Sequence, residues 1–342
     1  MRLPVSRQPA SFSMSASLEV HIPISPTPMF LRQTWALAAS LRRFGGEAGR
    51  SATLTAWVSP ELPGLPDLNR LHPWAKKLGV KFRWVDEALF ARHWYFGTAL
   101  ARWAGPFSAD VVLMLDADVL VCNSLDALVA TMAGSAEVWG FPAHFSPFTE
   151  EEWNALFASA GLPPPALDCQ PSGAGFFSSA REQRMPPYFN LGVIGAARQT
   201  MQQLGSGLIG EMERVNVYID PEKDPERSFY RCQMAIPLSI ARHGLGWQAL
   251  DVRDNFPNDV NFEQAHPVAL DEIRLLHYLR KERGVSKNDD FLSASRYQAL
   301  LQRDGLEGSN RLLQSRLRAL GACPLDGWLQ RQRERWLGGA PR

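Results

Sequence analysis

The sequence predicts an α/β fold: an open, mixed but mostly parallel sheet flanked by helices, continued by a helical C-terminal extension. Three observations carry this. Short apolar runs alternate with longer segments whose apolar residues recur at helical spacing, in the order β, α, β, β, α, β up to Leu115. One run, VVLML at 111–115, is apolar at every position, as a strand covered on both faces must be. Hydrophobic residues make up 45% of the 342 residues and charged residues 21%, an ordinary globular balance that excludes a disordered chain and allows one large domain or two.

The elements follow in order. Residues 1–16 are Ser/Pro-rich and are expected to be mobile. LEVHIPI (18–24) reads as a first strand that stops at Pro23-Ile24-Ser25-Pro26. A helix is expected over 30–46, closed by Gly45-Gly46. TLTAWV (53–58) and VKFRWV (80–85) read as strands, with a helical stretch near 67–78 between them. Further helices are expected at 93–105, 124–133, 196–214 and 228–243, and strands at 136–141 and 188–195. The segment 161–187, with Pro163-Pro164-Pro165, Gly173, Gly175 and Pro186-Pro187, reads as a long irregular loop of the kind that forms lids. DEIRLLHYL (271–279) ends in a short apolar strand, and the last fifty or so residues look helical and arginine-rich. No repeat at solenoid periods is present.

Composition narrows the function. The net charge of +1 excludes a chain-wide electrostatic claim on DNA or RNA, so no nucleic-acid partner is expected. Cys122, Cys169, Cys232 and Cys323 form no CxxC pair, which excludes a zinc ribbon and speaks against a disulfide scaffold. Reduced, buried thiols in a cytoplasmic protein are the expectation. The N-terminus has no apolar signal region, and no run of ~18 apolar residues exists to span a membrane. The tail from Arg303 to Arg342 has a local charge of +4 and interleaves Trp328, Leu329, Trp336 and Leu337. It reads as an amphipathic helix packed on the body, or as a peripheral contact with an anionic membrane surface.

Chemistry concentrates where VVLML runs into Asp116-Ala117-Asp118. Ligands of open α/β sheets bind beyond the carboxyl ends of strands. Period-two alternation puts both carboxylates on one side. Paired carboxylates repel, and a hard divalent ion such as Mg²⁺ or Mn²⁺ relieves the repulsion while keeping positions for phosphate oxygens. Most Asp-x-Asp sequences are solvated turns or caps. Here Asn123 or Ser124 can cap the next helix, and the buried strand before the pair favours metal.

LDADVLV resembles the metal-binding segment of nucleotide-sugar glycosyltransferases with the GT-A (Rossmann-like) fold, nearest to the glycogenin-like retaining group, family eight. Three further segments stand in that family's order. YFNLGV (188–193) resembles its FNxGV motif; Gln233 in SFYRCQMAI resembles the Gln of its Asp-Gln pair; LLHYLRKERG (275–284) resembles its late His-x-x-Gly-x-x-Lys segment. The likeness covers roughly residues 18–285. It implies Asp116, Asp118 and His277 as metal ligands, Asn190 as facing the donor sugar, and Asn190, Gln233 and Arg283 as the catalytic residues. Cys232 departs from the pattern by standing where the family has Asp; Arg280 stands at the Gly and Arg283 at the Lys.

The other candidates divide between plain and functional readings. Arg280, Lys281 and Arg283 are either a solvated face or a clamp on the diphosphate leaving group, Arg283 first by spacing and Lys281 second. Asn190 and Gly192 are a strand entry with a bulge, or a sugar-binding amide beside a glycine that permits close approach. Pro23, Ile24 and Ser25 are a turn, or with Ala117 the frame of the nucleotide. Arg102 is a helix residue or a phosphate contact. Asp254, Asn255, Asn258 and Asp259 form a turn or an acceptor-facing loop. Most of the eleven tryptophans are core; Trp139 or Trp247 is a candidate for stacking on a sugar.

The reading is a catalytic domain over 17–285, with 161–187 as a lid, and a helical extension over 286–342. Its expected activity is metal-dependent transfer of a sugar from a UDP-sugar to a glycan or small-molecule acceptor, with Mn²⁺ (or Mg²⁺) as cofactor and retention implied by the resemblance. Two rivals are a metal-dependent nucleotidyltransferase and a non-catalytic sugar-nucleotide or glycan-binding protein. The first usually carries a Gly-rich basic loop after its first strand, where this chain has IPISPTP. Metal-dependent donor hydrolysis would exclude the second.

Overall fold

The computed structural model describes residues 16–173, 182–220 and 222–325. The body is a seven-stranded sheet of β1 (Leu18–Ile24), β2 (Thr53–Val58), β3 (Val80–Trp84), β4 (Val111–Leu115), β6 (Val138–Pro142), β7 (Phe189–Ala197) and β8 (Trp247–Ala249). Their order is β3-β2-β1-β4-β7-β6-β8. β1, β2, β3 and β4 are parallel neighbours, and β7 runs antiparallel between β4 and β6. A three-stranded sheet of β5 (Val119–Val121), β10 (Leu275–His277) and β9 (Phe256–Pro257) lies beyond the end of β4.

Local sequence explains the strongest elements. All five residues of β4 are fully buried, and each large apolar side chain so covered contributes roughly 1.5–3 kcal/mol. The helix Pro28–Phe44 starts at Thr27, whose side chain accepts from the Phe30 amide at 3.4 Å, has Pro28 in its first turn and ends at Gly45. The chain leaves β1 towards β2 and β3, then returns on the other side of β1 as β4. That reversal between β1 and β4 is the switch point at which such sheets bind ligands.

Several expectations shift in detail. The helix of 67–78 is two short ones, Leu68–Leu71 and Pro73–Lys77, because Pro73 has no amide hydrogen to continue the first. The helix of 93–105 is shorter, Tyr95–Ala101; it follows a separate helix, Glu87–His93, from which Trp94, with φ +51°, divides it. The short helix Gly46–Ser51 follows the glycine pair, and Glu150–Ser159, held by a Thr149/Glu152 capping box, precedes the irregular loop. The four cysteines are buried and form no disulfide. Among the described residues no helix is long and apolar enough to cross a membrane.

The segment after 285 continues the same core. Phe291, Tyr297, Leu300, Leu313 and Leu317 pack in one cluster with residues of β1, β2 and β4. Arg32 on the first helix donates to the Leu292 carbonyl at 2.9 Å, and Gln33 to that of Lys287 at 3.4 Å. Residues 1–15 and 326–342, with Trp328, Leu329, Trp336 and Leu337, lie outside the described residues.

His72 gives the fold an acid-sensitive point. It is buried against Trp74 and Phe82, with ring centroids at 6.2 and 5.8 Å. Burial pushes its imidazole from 6.5 down to about 4. The unfolded chain therefore takes up a proton that the native state rejects. This contribution is complete above about pH 6.5 and fades as pH falls towards 4, by about 3 kcal/mol in all. His72→Phe is expected to flatten the fall in Tm between pH 7 and pH 4; an unchanged slope would assign the sensitivity to other groups.

Candidate active site

Asp116 and Asp118 sit in a turn between the two sheets rather than on one extended strand. The Asp116 amide still donates to the Gly192 carbonyl at 3.1 Å, extending the β4–β7 ladder. The Val119 amide then folds back onto the Asp116 carbonyl at 3.2 Å, and the chain departs as β5. Alternation along a strand is thus not what brings the carboxylates together; this turn does. β10 pairs antiparallel with β5, with His277 opposite Val119, and the Tyr278 amide donates to the Asp118 carbonyl at 3.0 Å. One ligand atom from each of Asp116, Asp118 and His277 lies within 4.8 Å of the others.

A relay of amides orients His277. Asn190 Oδ1 accepts from the Gly192 amide at 2.8 Å and from Asn255 Nδ2 at 3.4 Å. Asn255 Oδ1 in turn faces His277 Nδ1 at 3.0 Å, so Nδ1 carries the proton that it donates. Nε2 is left with a lone pair directed at Asp118 Oδ1, 3.4 Å away. A lone pair facing a carboxylate is repulsive unless a cation lies between them. Two carboxylate oxygens and one imidazole nitrogen therefore fit a divalent ion, and the nitrogen suits Mn²⁺ better than Mg²⁺.

Arg102 lies behind the carboxylates. It is fully buried and donates to the carbonyls of Leu115 and Leu191 at 2.9 and 3.2 Å and to Asp116 Oδ1 at 3.2 Å. These bonds clamp β4 to β7 and fix the Asp116 carboxylate, so the side chain positions that carboxylate instead of lining the cavity as a phosphate contact would. Gly192 is required by the same packing. A Cβ there would meet His277 Cε1 at 2.2 Å and Asn190 Oδ1 at 2.7 Å. Gly192→Ala is expected to weaken metal-dependent nucleotide binding at least ~10-fold while circular dichroism stays native; unchanged binding would show that His277 has no fixed place in the site.

The cavity beside this cluster measures about 430 Å³. Asp116, Asn190, Gln233, His277, Arg280 and Lys287 supply its polar wall, and Tyr95, Phe96, Phe145, Tyr188, Phe229 and Tyr230 its aromatic one. Lys287 is the cation that the sequence reading did not single out. Its ammonium contacts Asp118 Oδ2. Burial alone would raise the Asp118 pKa, but the charge of the Lys287 ammonium draws it down, and the carboxyl lies well below the usual range. Burial opposes the charge on Lys287 too, and Asp118 more than compensates, so its pKa rises. A signal for it existed. Gly284-Val285-Ser286-Lys287 keeps the Gly-x-x-Lys half of the late motif, displaced by four residues from its usual distance to the histidine.

The other cations divide. Arg280 lines the cavity 3.6 Å from Asp259, and its Nε and one terminal nitrogen are buried without a hydrogen bond. Lys281 and Arg283 line a different hollow with Gly284, Asp290 and Arg303. Arg283 faces Glu307 at 3.4 Å, and Lys281 approaches Asp289 at 3.9 Å. The insertion between His277 and Gly284 carries both away from the Asp116–Asp118–His277 cluster, contrary to the spacing argument. Pro23, Ile24 and Ser25 end β1 on the same edge of the sheet as Asp116, but do not line this cavity.

Cys232 is buried in the core, where burial pushes its thiol up to about 12, so it is protonated at neutral pH. Of the Asn/Asp cluster, Asn255 bonds the His277 ring, and the Asn258 amide donates to the His277 carbonyl at 3.3 Å. Asp254 pairs with Arg274, Asp259 caps the helix Val260–Ala265, and Asn258 binds the backbone of Arg280. Trp247 packs on Phe189, with centroids 5.9 Å apart, and neither it nor Trp139 lines the cavity. The expected lid is described at 161–173 and 182–187. There the Ser172 and Gly173 amides donate to the Ala143 and His144 carbonyls at 2.9 and 3.0 Å, beside the cavity wall. Residues 174–181 lie outside the described residues.

A switch-point cavity bearing an Asp-x-Asp turn, a histidine from a second small sheet and a basic wall is the arrangement of a GT-A nucleotide-sugar glycosyltransferase. The profile of the family described as the Rhodobacterales glycosyltransferase domain matches residues 24–244, and the chain belongs to that family. It is a glycosyltransferase and hence a transferase enzyme. The fold is similar to that of the galactosyltransferase LgtC, solved with donor and acceptor sugar analogs: TM-score 0.52, 18% identity, 90% of this chain and 97% of that one covered. A weaker likeness is to mouse xyloside xylosyltransferase 1, at TM-score 0.43 and 12% identity, covering 78% and 99%. No curated protein matches.

Proposed function

We propose that this chain transfers a sugar from a UDP-sugar to a glycan acceptor, with retention of anomeric configuration, and depends on Mn²⁺ (or Mg²⁺). The observation that carries the reading is the Asp116–Asp118–His277 cluster at the switch point, with Lys287 and Arg280 on the same cavity wall. A divalent ion held by these three residues would supply a Lewis acid to the diphosphate leaving group.

The remaining roles belong to the chain itself. Arg102 and the Asn190–Asn255 relay hold the ligands in position. Lys287 and the unsatisfied donors of Arg280 offer fixed positive charge where the diphosphate becomes more negative as the glycosidic bond breaks. Asn190 has its oxygen engaged twice, which leaves its Nδ2 hydrogens to donate to a sugar hydroxyl. Gln233 reaches the same space from the helix Arg231–Arg242. Pro23, Ile24 and Ser25, with Ala117, frame the nucleotide. Retention and the UDP choice rest on the family-eight resemblance.

Thermal shift with UDP- and GDP-sugars, with and without Mn²⁺, tests the reading. The largest rise in Tm is expected for a UDP-sugar with Mn²⁺. Equal shifts with and without the ion would remove the metal from the proposal, and no shift with any nucleotide sugar would remove the donor. Release of UDP on longer incubation separates an enzyme from a binding protein.

A further inference from the structure

A second hollow adjoins the catalytic cavity. It measures about 340 Å³ and lies between the end of the helix Glu87–His93, the start of Tyr95–Ala101, and residues of the helices Arg198–Tyr218 and Arg231–Arg242. Tyr95 and Phe96 line both spaces and so form the partition between them. Asp116, Asp118 and His277 do not line the second one.

His93 stands out on its wall. The side chain is 1% exposed, and neither ring nitrogen has a hydrogen bond. The Glu213 carboxylate stands 3.9 Å from Nε2, too far for one. That carboxylate pairs instead with Arg92 at 2.9 Å and lines a different hollow with Arg214 and Val217. Buried polar side chains are nearly always hydrogen-bonded in folded proteins, so one left open on the wall of a hollow points to a ligand that completes it.

Charge selects the ligand. Arg92, His93 and Arg231 line the hollow, and among the described residues no carboxylate does. Arg231 is held in place: Nε donates to the Ser228 carbonyl and Nη1 to Asn216 Oδ1, both at 2.9 Å, with the guanidinium 5.2 Å from the Phe96 ring. Its Nη2 makes no hydrogen bond among the described residues. Burial, then the charge of Arg92 and more weakly that of Arg231, lowers the His93 pKa from its ordinary value, against the opposite pull of Glu213. The imidazole therefore sits in a positive field. A cation would be repelled there, and an apolar molecule would leave the ring nitrogens unpaired. An oxyanion accepts from an imidazole N–H and balances guanidinium charge. Three side chains from two helices offer donors, which suits the three terminal oxygens of a phosphate group better than the two of a carboxylate.

We propose that this hollow is a second ligand site, for a phosphate group, free or as the monoester of a small molecule, with His93 and Arg231 as its principal donors. The site goes beyond the transferase reading, since it needs neither the metal nor the sugar donor. A phosphate seated there bears on the catalytic cavity through the shared Tyr95–Phe96 wall and through Arg231, two residues before Gln233.

Calorimetric titration of the metal-free full chain at pH 7 with inorganic phosphate, phenyl phosphate and phenol tests this. Both phosphates are expected to bind and phenol is not. Tighter binding of the ester assigns the site to an organic phosphate, and equal binding to free phosphate. His93→Leu is expected to lower phosphate affinity at least ~10-fold while raising Tm, because it removes unpaired nitrogens from the interior. In histidine-labelled protein, the ring resonance assigned by its absence from His93→Gln is expected to shift during the phosphate titration. Lys287→Ala, which alters the catalytic cavity, is expected to leave the response of that resonance within about twofold of wild type in phosphate concentration. Absence of phosphate binding, a His93 resonance that phosphate does not move, or full affinity in His93→Leu would overturn the site. So would a response lost in Lys287→Ala, which would place the anion in the catalytic cavity. None of these measurements uses a nucleotide sugar or Mn²⁺, so failure of the enzyme reading and failure of this site give different results.

Discussion

Asp118→Asn is expected to abolish the Mn²⁺-dependent rise in Tm given by UDP and to lower transfer roughly 10³-fold, about 4 kcal/mol of transition-state stabilisation. The side chain is nearly isosteric and keeps an oxygen for Lys287, so far-UV circular dichroism should remain native. What is lost is a ligand charge. Asp118 is held in its ionised form, well below the usual carboxylate range, beside the Lys287 ammonium. An amide is a weaker ligand for a hard cation, and the phosphates cannot replace the missing protein charge. Undiminished Mn²⁺-dependent UDP binding in this variant would show that the Asp-x-Asp turn is not the metal site.

Lys287→Ala is expected to lower kcat by ~10²-fold or more with a smaller effect on donor affinity, because charge develops on the diphosphate only as the sugar departs. The same variant leaves Asp118 without its ammonium. Its metal-free Tm should therefore fall, and Mn²⁺ should raise its Tm more than that of wild type, since no ammonium has to be displaced from the carboxylate. Arg283→Ala, by contrast, should stay within about a factor of two of wild type, because Arg283 pairs with Glu307 in another hollow. A large loss on Arg283→Ala with little on Lys287→Ala would reverse this assignment and restore the cation that spacing alone favours.

The two cations show how much of the site was legible in the sequence. Counting from His277 along the family's late motif leads to Arg283, and the count is correct only where the backbone between the two has the usual length. Four added residues carry Lys281 and Arg283 outward before Gly284, and the Gly-x-x-Lys half of the pattern resumes behind them. Arg102 shows another limit. Its helix and its proximity to the metal strand are visible in sequence, but whether its guanidinium faces a ligand or the back of Asp116 depends on β7 lying beside β4. Nothing in the local pattern announces that antiparallel neighbour.

Sequence by itself determined the strands β1, β2, β3 and β4, the end of the buried strand at Asp116 and the identity of both carboxylates. These are properties of short segments: an apolar run must be covered on both faces, and a charged residue ends it. Tertiary structure decided what surrounds them. The second sheet turns β5 back so that β10 lays His277 against Asp118, and the packing of the C-terminal segment on the first helix delivers Lys287 to the same carboxylate. Each of these joins residues far apart in the chain. Their geometry depends on how sheets and helices pack, and no local periodicity encodes it.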